Sequence, residues 1–490
     1  MTEKISKSDL GKKAVKSGAL TMVAQLIKIA LQLASIIILS RLLSPDDFGL
    51  IAMVVAITSF MQLFRDMGLS TASIQKGDLT YDQTNALFWL NIAIGALLTV
   101  LTMLCAPLIS WFYERPELQA VLMVLSSTFL ISSAGAQHSA LMQREMRFRP
   151  KVIADIAGAV ATLVVSIVMA FYGYGFWALA WGTVIGAIIT TVMYFLGSKF
   201  RPSRPKKTAG MRELVGFGAN VTIFELVNYF HRNLDNILIG KVWGAVTLGF
   251  YSRAYQMMML PIASLRQPIN SVAYPVLSKL QHDPIAFKAY YQKIATLLAF
   301  LSMPLMAFLV VNATNVVNVT IGKGWEQLVP IFVLLGISGF IQPVGSLRGL
   351  VLLSLGKSRL YVVWGVVNAI VVSIAFIIGV RWSAEGVAAA YAIANYLLIY
   401  PSLYFFFKDT PIKPRDFFSS IAIPAIASLV AATVMYWVQL RWMMGINQPL
   451  LHLLVSGLMY LILFIVAVLL LPKGKNTLQQ YFKIIGTIVK

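Results

Sequence analysis

Apolar runs long enough to cross a bilayer recur along the whole chain, each closed by a short polar or charged break. About 20 apolar residues in a helix cover the ~30 Å of hydrocarbon in a typical membrane. On that measure the pattern predicts fourteen spans, near residues 18–40, 48–75, 83–106, 118–142, 150–171, 176–197, 211–240, 248–276, 288–311, 325–353, 359–380, 384–407, 417–438 and 449–471. The breaks between them are short on both faces, which leaves no room for a soluble catalytic domain. The expected fold class is an all-α polytopic membrane protein.

Polar residues inside the first span fall on one face. Gln25, Lys28, Gln32 and Ser35 are spaced i, i+3, i+7 and i+10, a single helical stripe. A lysine at the bilayer centre costs roughly 2.5–3.5 kcal/mol on insertion scales, so it either meets a structural partner or faces a wet cavity on a transport path. Shifting the sequence by 200 residues lays the first two spans on the seventh and eighth without a gap: Gly18 on Gly218, Leu26 on Leu226, Ile37 on Ile237, Arg41 on Lys241, Gly49 on Gly249. The stripe repeats in register as Glu225, Asn228, Arg232 and Asp235. A shift near 210 lays His138 and Arg147 near Arg348 and Lys357.

Six spans separate the copies, so both begin on the same side, as parallel repeats do. The expected organisation is a basic cytoplasmic N-terminus (1–17), an N-lobe (18–197, spans 1–6), a basic linker (198–210) and a C-lobe (211–407, spans 7–12). A terminal helix pair (417–471) and a basic tail (472–490) follow. In repeat transporters of this kind the site lies where the two halves meet, and helices 1 and 7 should line it.

Charge adds the orientation. The net charge of +21 in 490 residues would suggest nucleic acid in a soluble protein. Here most of it lies in alternate loops, notably Arg144, Arg147, Arg149 and Lys151, and Lys199, Arg201, Arg204, Lys206 and Lys207, while the opposite loops hold only Arg41, Arg115, Lys241, Lys323, Arg381 and Arg441. That bias sets both termini in the cytoplasm and excludes a nucleic-acid partner as its explanation. Trp111, Trp177, Trp243, Trp325, Trp382, Trp437 and Trp442 fall at the outer ends, where interfacial anchors belong.

Within the spans lie Lys28, Arg65, Arg232, Arg253, Arg266 and Arg348, against Asp66, Glu225 and Asp235, with Asp155 near an inner end. A cation-rich path binds an anion, and the planar fork of arginine suits phosphate. Structural alternatives stay open: Arg65, Arg253 and Arg348 reach span ends and can snorkel, and Arg232 and Asp235 can neutralise each other at i, i+3. His138 reads as an interfacial hydrogen-bonding residue. Glu225 and Asp235, then Asp66, are the carboxylates placed to couple transport to an ion. No Walker A, GxSxG, HExxH or metal-ligand spacing occurs, so neither an ATP motor, an enzyme nor a bound cofactor is expected, only H⁺ or Na⁺ coupling.

The runs SRLLSPDDFGLIAM (40–53), FRDMGLSTASIQ (64–75), ALMQREMRFR (140–149), RNLDNILIG (232–240), LGFYSRAYQMMMLPI (248–262) and INSVAYPVLSKL (269–280) resemble the Wzx-like polysaccharide exporters of the colanic acid kind. These belong to the multidrug/oligosaccharidyl-lipid/polysaccharide superfamily, with MurJ and the MATE exporters. The resemblance implies a flippase that moves undecaprenyl-diphosphate-linked oligosaccharide across the bacterial inner membrane for exopolysaccharide biosynthesis. Its phosphates would meet Lys28, Arg65, Arg232, Arg253, Arg266 and Arg348, and its polar groups Gln25, Gln32 and Asn228. Expected partners are that substrate, membrane lipids and the polysaccharide polymerase machinery, with the exporter a monomer. The rival is a MATE-like cation-coupled exporter of small molecules, which calls for an acidic, aromatic cavity. A glycan polymerase would need a large outer loop, and a scaffold would not keep charged stripes in the membrane.

Overall fold

A computed structural model describes residues 7–66, 69–75, 79–205, 211–442 and 448–479; within these, the side chains of 7–21, 66, 71, 72, 75, 211–228, 230, 231 and 442 lie outside the described set. The described residues form helices throughout. In chain order they are α1 (Lys7–Leu42), α2 (Pro45–Asp66), α3 (Leu69–Gln75), α4 (Tyr81–Tyr113), α5 (Glu117–Arg144), α6 (Phe148–Phe171), α7 (Phe176–Gly197) and α8 (Met211–Lys279). Then come α9 (Pro284–Val311), α10 (Ala313–Thr320), α11 (Leu328–Gly345), α12 (Leu347–Ser354), α13 (Ser358–Gly379), α14 (Ser383–Phe407), α15 (Pro414–Trp442) and α16 (Pro449–Leu470).

Eleven helical stretches among the described residues are long and apolar enough to cross a membrane, and one of them, Ser358–Phe407, holds both α13 and α14. The two arms of α8 complete the expected fourteen. Helical geometry breaks in α8 at Gly244, whose φ of 81° suits glycine. A Cβ on Gly240 would sit 3.2 Å from the Leu248 side chain. Eight residues of straight helix would hold those positions ~12 Å apart, so the chain doubles back there. The second span differs from expectation: it ends at Asp66, and residues 69–75 are a separate short helix. Its 22 residues already cross the hydrocarbon, and a 28-residue run exceeds what the bilayer requires.

Helix ends are set by local chemistry. Thr80 and Gln83 form a capping box at α4, each side chain taking the other's backbone N–H at 3.2 Å. Asp283 caps α9 by accepting from the N–H groups of Ile285 and Ala286, with Pro284 in the first turn.

The chain forms two compact units, Met1–Gly249 and Phe250–Lys490. Each carries its own copy of one interhelical tie. In the first, Arg147, ahead of α6, donates to the carbonyl of Gly197 at the end of α7 at 3.0 Å. In the second, Lys357, ahead of α13, donates to the Asp409 carbonyl just past α14 at 2.8 Å. These cations are the pair matched by the 210-residue shift. The terminal helices α15 and α16 pack on α9 and α10 through Ala427, Ala431, Met435, Tyr460 and Phe464. A buried polar knot fastens them: Gln439 donates to Asn312 at 2.7 Å, and His452 meets Asn315 and Ser456 at 3.0 and 3.2 Å.

Candidate functional site

In the first unit, a charged cluster forms where α1, α6 and α7 meet. Lys28 on α1 places its Nζ 2.9 Å from Oδ2 of Asp155 on α6. Lys151, one turn earlier on α6, reaches the same oxygen at 3.2 Å, the i, i+4 spacing that puts both on one face. The Tyr194 hydroxyl of α7 donates to Oδ1 in a short hydrogen bond, and the Lys151 ammonium lies 5.8 Å above the Tyr194 ring. Ser139 of α5 shares that hydroxyl, and Arg65 of α2 acts on it electrostatically. One carboxylate is thus divided between two lysines, with an arginine near. The sum is a surplus of positive charge.

Burial tells which charges stay reachable. The Asp155 side chain is 16 % exposed and that of Lys28 40 %. Along α1 the packed positions are Ala24, Ile36 and Leu39, whereas Gln25, Lys28 and Ser35 are half-buried and Gln32 is exposed. The polar stripe therefore shares the helix face that packs, since Lys28 and Leu39 stand eleven residues apart, but its own side chains are less covered there. Arg232 is exposed on α8 and Asp235, three residues on, is buried. The side chains of Asp66, Glu225 and Asn228 lie outside the described residues.

The second unit holds Arg253, Arg266 and Arg348. Arg253 is buried and donates to the Gln256 side chain; Arg266 is half-buried. Arg348 on α12 donates to the Ser402 hydroxyl of α14 at 2.6 Å and lies 5.9 Å above the Phe406 ring. Beside it the buried Tyr291 hydroxyl has no hydrogen-bond partner. Asp416 instead takes Lys288 at 2.8 Å and caps its own helix through the Lys413 N–H. Of the six intramembrane cations, Lys28 and Arg65 meet at one cluster, while Arg253 and Arg348 of the second unit keep separate partners.

His138 differs from the expected hydrogen-bonding role. Its ring is fully buried among Phe88, Phe195 and Phe200, with centroids at 5.8, 5.0 and 5.4 Å, and neither ring nitrogen has a partner. Phe200 reaches this box because the linker's first residues are bound along α4. Tyr81 donates to the Arg201 carbonyl, Trp89 to that of Ser203 and Asn85 to that of Arg204, at 2.7, 2.7 and 3.0 Å. Asn85 also accepts the Ser203 N–H at 2.8 Å.

Sequence reasoning missed Lys151 and Tyr194, and named Asp155 only as an acid near an inner end. The i, i+4 spacing of Lys151 and Asp155 was the available signal. It was masked because Lys151 follows three arginines of an inner loop and reads as a topology charge. Nothing in the sequence marks Tyr194.

Comparison with known proteins gives concordant results. A family model described as polysaccharide biosynthesis protein matches residues 38–330. The chain is 25 % identical over 437 residues to the lipopolysaccharide biosynthesis protein WzxC of Escherichia coli K12, covering 87 % of this chain and 88 % of that one. It is 28 % identical over 355 residues to the teichuronic acid biosynthesis protein TuaB of Bacillus subtilis, covering 72 % and 74 %. Among solved structures, the lipid II flippase MurJ in an inward closed conformation superposes with a TM-score of 0.76 at 14 % identity, covering 90 % of this chain and 97 % of that one. An inward-facing MATE transporter of the MOP superfamily gives 0.65 at 14 % identity, covering 77 % and 93 %. At such identities the likeness is one of fold.

Proposed function

The chain belongs to the polysaccharide biosynthesis protein family, and from that premise we propose that it translocates an undecaprenyl-diphosphate-linked oligosaccharide from the cytoplasmic to the periplasmic leaflet by alternating access. The observation that carries this reading is the divided carboxylate: Lys28 and Lys151 share one Asp155, so this cluster holds more cation than anion inside the membrane. A diphosphate is the part of such a lipid that hydrocarbon excludes most strongly, and ammonium and guanidinium groups replace its hydration. The prenyl tail needs no such help and stays in lipid. Arg232 presents a second exposed cation, and Gln25, Gln32 and Asn228 supply amides for sugar hydroxyls. Arg253, Arg266 and Arg348, in the second unit, are further phosphate ligands in this reading. A lining richer in cations than acids disfavours small organic cations as cargo, the MATE-like alternative.

Turnover in this reading is driven by H⁺ or Na⁺ through Glu225 or Asp235, with Asp66 third, as an antiport. Protein reconstituted in liposomes with a labelled lipid-diphosphate oligosaccharide is expected to move label between leaflets, faster under an imposed pH or Na⁺ gradient. No movement under any gradient would refute the reading.

The protein sits in the bacterial inner membrane as a monomer with both termini cytoplasmic, within reach of the polymerase that consumes its cargo. In a Cys105→Ser background, Glu114→Cys and Lys323→Cys should label with an impermeant maleimide on intact cells. Lys357→Cys, and Lys206→Cys (a position outside the described residues), should label only after permeabilisation. The reversed pattern would invert the proposed direction of transport.

A further inference from the structure

The start of α2 and the part of α8 beyond its break approach each other with no room for side chains. A Cβ on Gly49 would overlap the carbonyl oxygen of Ala245, and a Cβ on Gly249 would overlap the carbonyl oxygen of Pro45. Pro45 and Ala245 are matched by the 200-residue shift, and so are Gly49 and Gly249. The contact is therefore reciprocal: each glycine meets the residue that precedes its partner glycine by one turn, as in a two-fold interface. Each pair is i, i+4, so both members share a helix face. The obstacle in both cases is main chain, which cannot rotate away as a side-chain tip does.

The contact continues along the seam. Gly240 packs so closely on Met53 and Tyr113 that a Cβ would meet them at 3.2 and 3.1 Å. The Tyr229 hydroxyl donates to the Ala56 carbonyl, and its ring meets Phe60 edge-on at 5.1 Å. At the rim Lys241 pairs with Glu114 at 2.8 Å and holds that carboxyl below the usual range. Pro45 to Phe60 is ~22 Å of helix, most of one membrane crossing.

We propose that Gly49 and Gly249 form a reciprocal clasp that closes the outer end of the α2–α8 seam and must part for cargo to pass. The passage of cargo rests on the transport reading above; the clasp as a closed contact does not. The test joins Glu114→Cys to Lys241→Cys, in a Cys105→Ser background, with a short bifunctional methanethiosulfonate. With both glycines present the pair is expected to cross-link in high yield, and the cross-link should stop movement of labelled lipid-diphosphate oligosaccharide until a reductant cleaves it. Gly49→Ala and Gly249→Ala should each lower the cross-linking rate about tenfold, and by similar factors because the contact is reciprocal. Gly365→Ala, where a Cβ meets open space, should change nothing. Cross-linking at the parent rate in both glycine variants would overturn the clasp whatever the cargo. Full translocation by the cross-linked protein would overturn its gating role without refuting transport. Failure of the parent protein to translocate would refute the transport reading, while the cross-linking rates still decide whether the clasp exists.

Discussion

Replacing Lys28 by alanine is expected to abolish translocation and leave a folded, membrane-inserted protein. Two consequences of the substitution have to be separated. Losing an ion-pair partner strands a charge, at a cost of about 3–5 kcal/mol when the charge is fully buried and alone. Asp155 is neither: it keeps Lys151 at 3.2 Å and the Tyr194 hydroxyl, and the lost ammonium was 40 % exposed. The structural penalty should therefore be nearer 1–2 kcal/mol, a hydrogen bond to a charged group. Function suffers differently. Lys151 and Asp155 then balance each other, and the surplus charge that draws phosphate into this cluster is lost. Lys28→Arg keeps the charge and should retain part of the activity, limited by the larger fork. The comparison with a purely structural role is Lys28→Met combined with Asp155→Leu, which removes both charges and conserves bulk. If that double variant flips labelled lipid as the parent does, Lys28 serves only to balance Asp155 and its own phosphate role is refuted, since the surplus charge then sits on Lys151 alone. Monodispersity in detergent and flipping in liposomes, measured on the same preparations, separate the outcomes.

The spans were legible because crossing hydrocarbon imposes length and apolarity on each segment by itself, without reference to neighbours. What a segment does to its neighbours was less legible. Lys28 stood out because a charge in an apolar run is costly wherever it sits, yet its partner did not, because Asp155 lies 127 positions away on another helix. The linker residues 200–204 carry a proline and two arginines that read as a plain connector. They are bound because Tyr81, Asn85 and Trp89 recur on one face of α4, a pattern that looks like an ordinary interfacial helix end until the chain it holds is in place. His138 was misjudged for the same reason: a polar residue on a mixed face suggests hydrogen bonding, whereas three phenylalanines from α4, α7 and the linker surround it. The reciprocal glycines were visible as a repeat match. Their meaning came only from the carbonyls opposite.

Gly186→Leu is expected to cost the protein its folded state in detergent, and this is the largest stability effect we anticipate. In a bilayer, helices gain nothing from hiding apolar surface from each other, so close packing of small residues carries their association. The α6–α7 crossing is built that way. Gly158, Thr162 and Ser166 on α6 run antiparallel to Thr190, Gly186 and Gly182 on α7, a four-residue spacing on both sides. Each glycine takes an oxygen from across the interface: a Cβ at Gly158, Gly186 or Gly182 would overlap the hydroxyl of Thr190, Thr162 or Ser166 in turn. The threonine hydroxyls are not free to leave, since Thr162 donates to the Gly158 carbonyl at 3.0 Å and Thr190 to that of Gly186 at 2.9 Å. One inserted methyl in a packed core costs about 1–3 kcal/mol, and leucine adds three more carbons against a carbonyl already 2.9 Å from the first. The same crossing holds Lys151 and Asp155 against Tyr194, so a variant that survives should also lose the Tyr194 hydrogen bond and with it activity. Gly186→Ala should lower the thermal midpoint of the detergent-solubilised protein, and adding Thr162→Ala should recover part of it by removing the opposing hydroxyl. Gly365→Leu, facing open space, is the matched control. A Gly186→Leu protein that melts with the parent would show that α6 and α7 are held by something other than this packing.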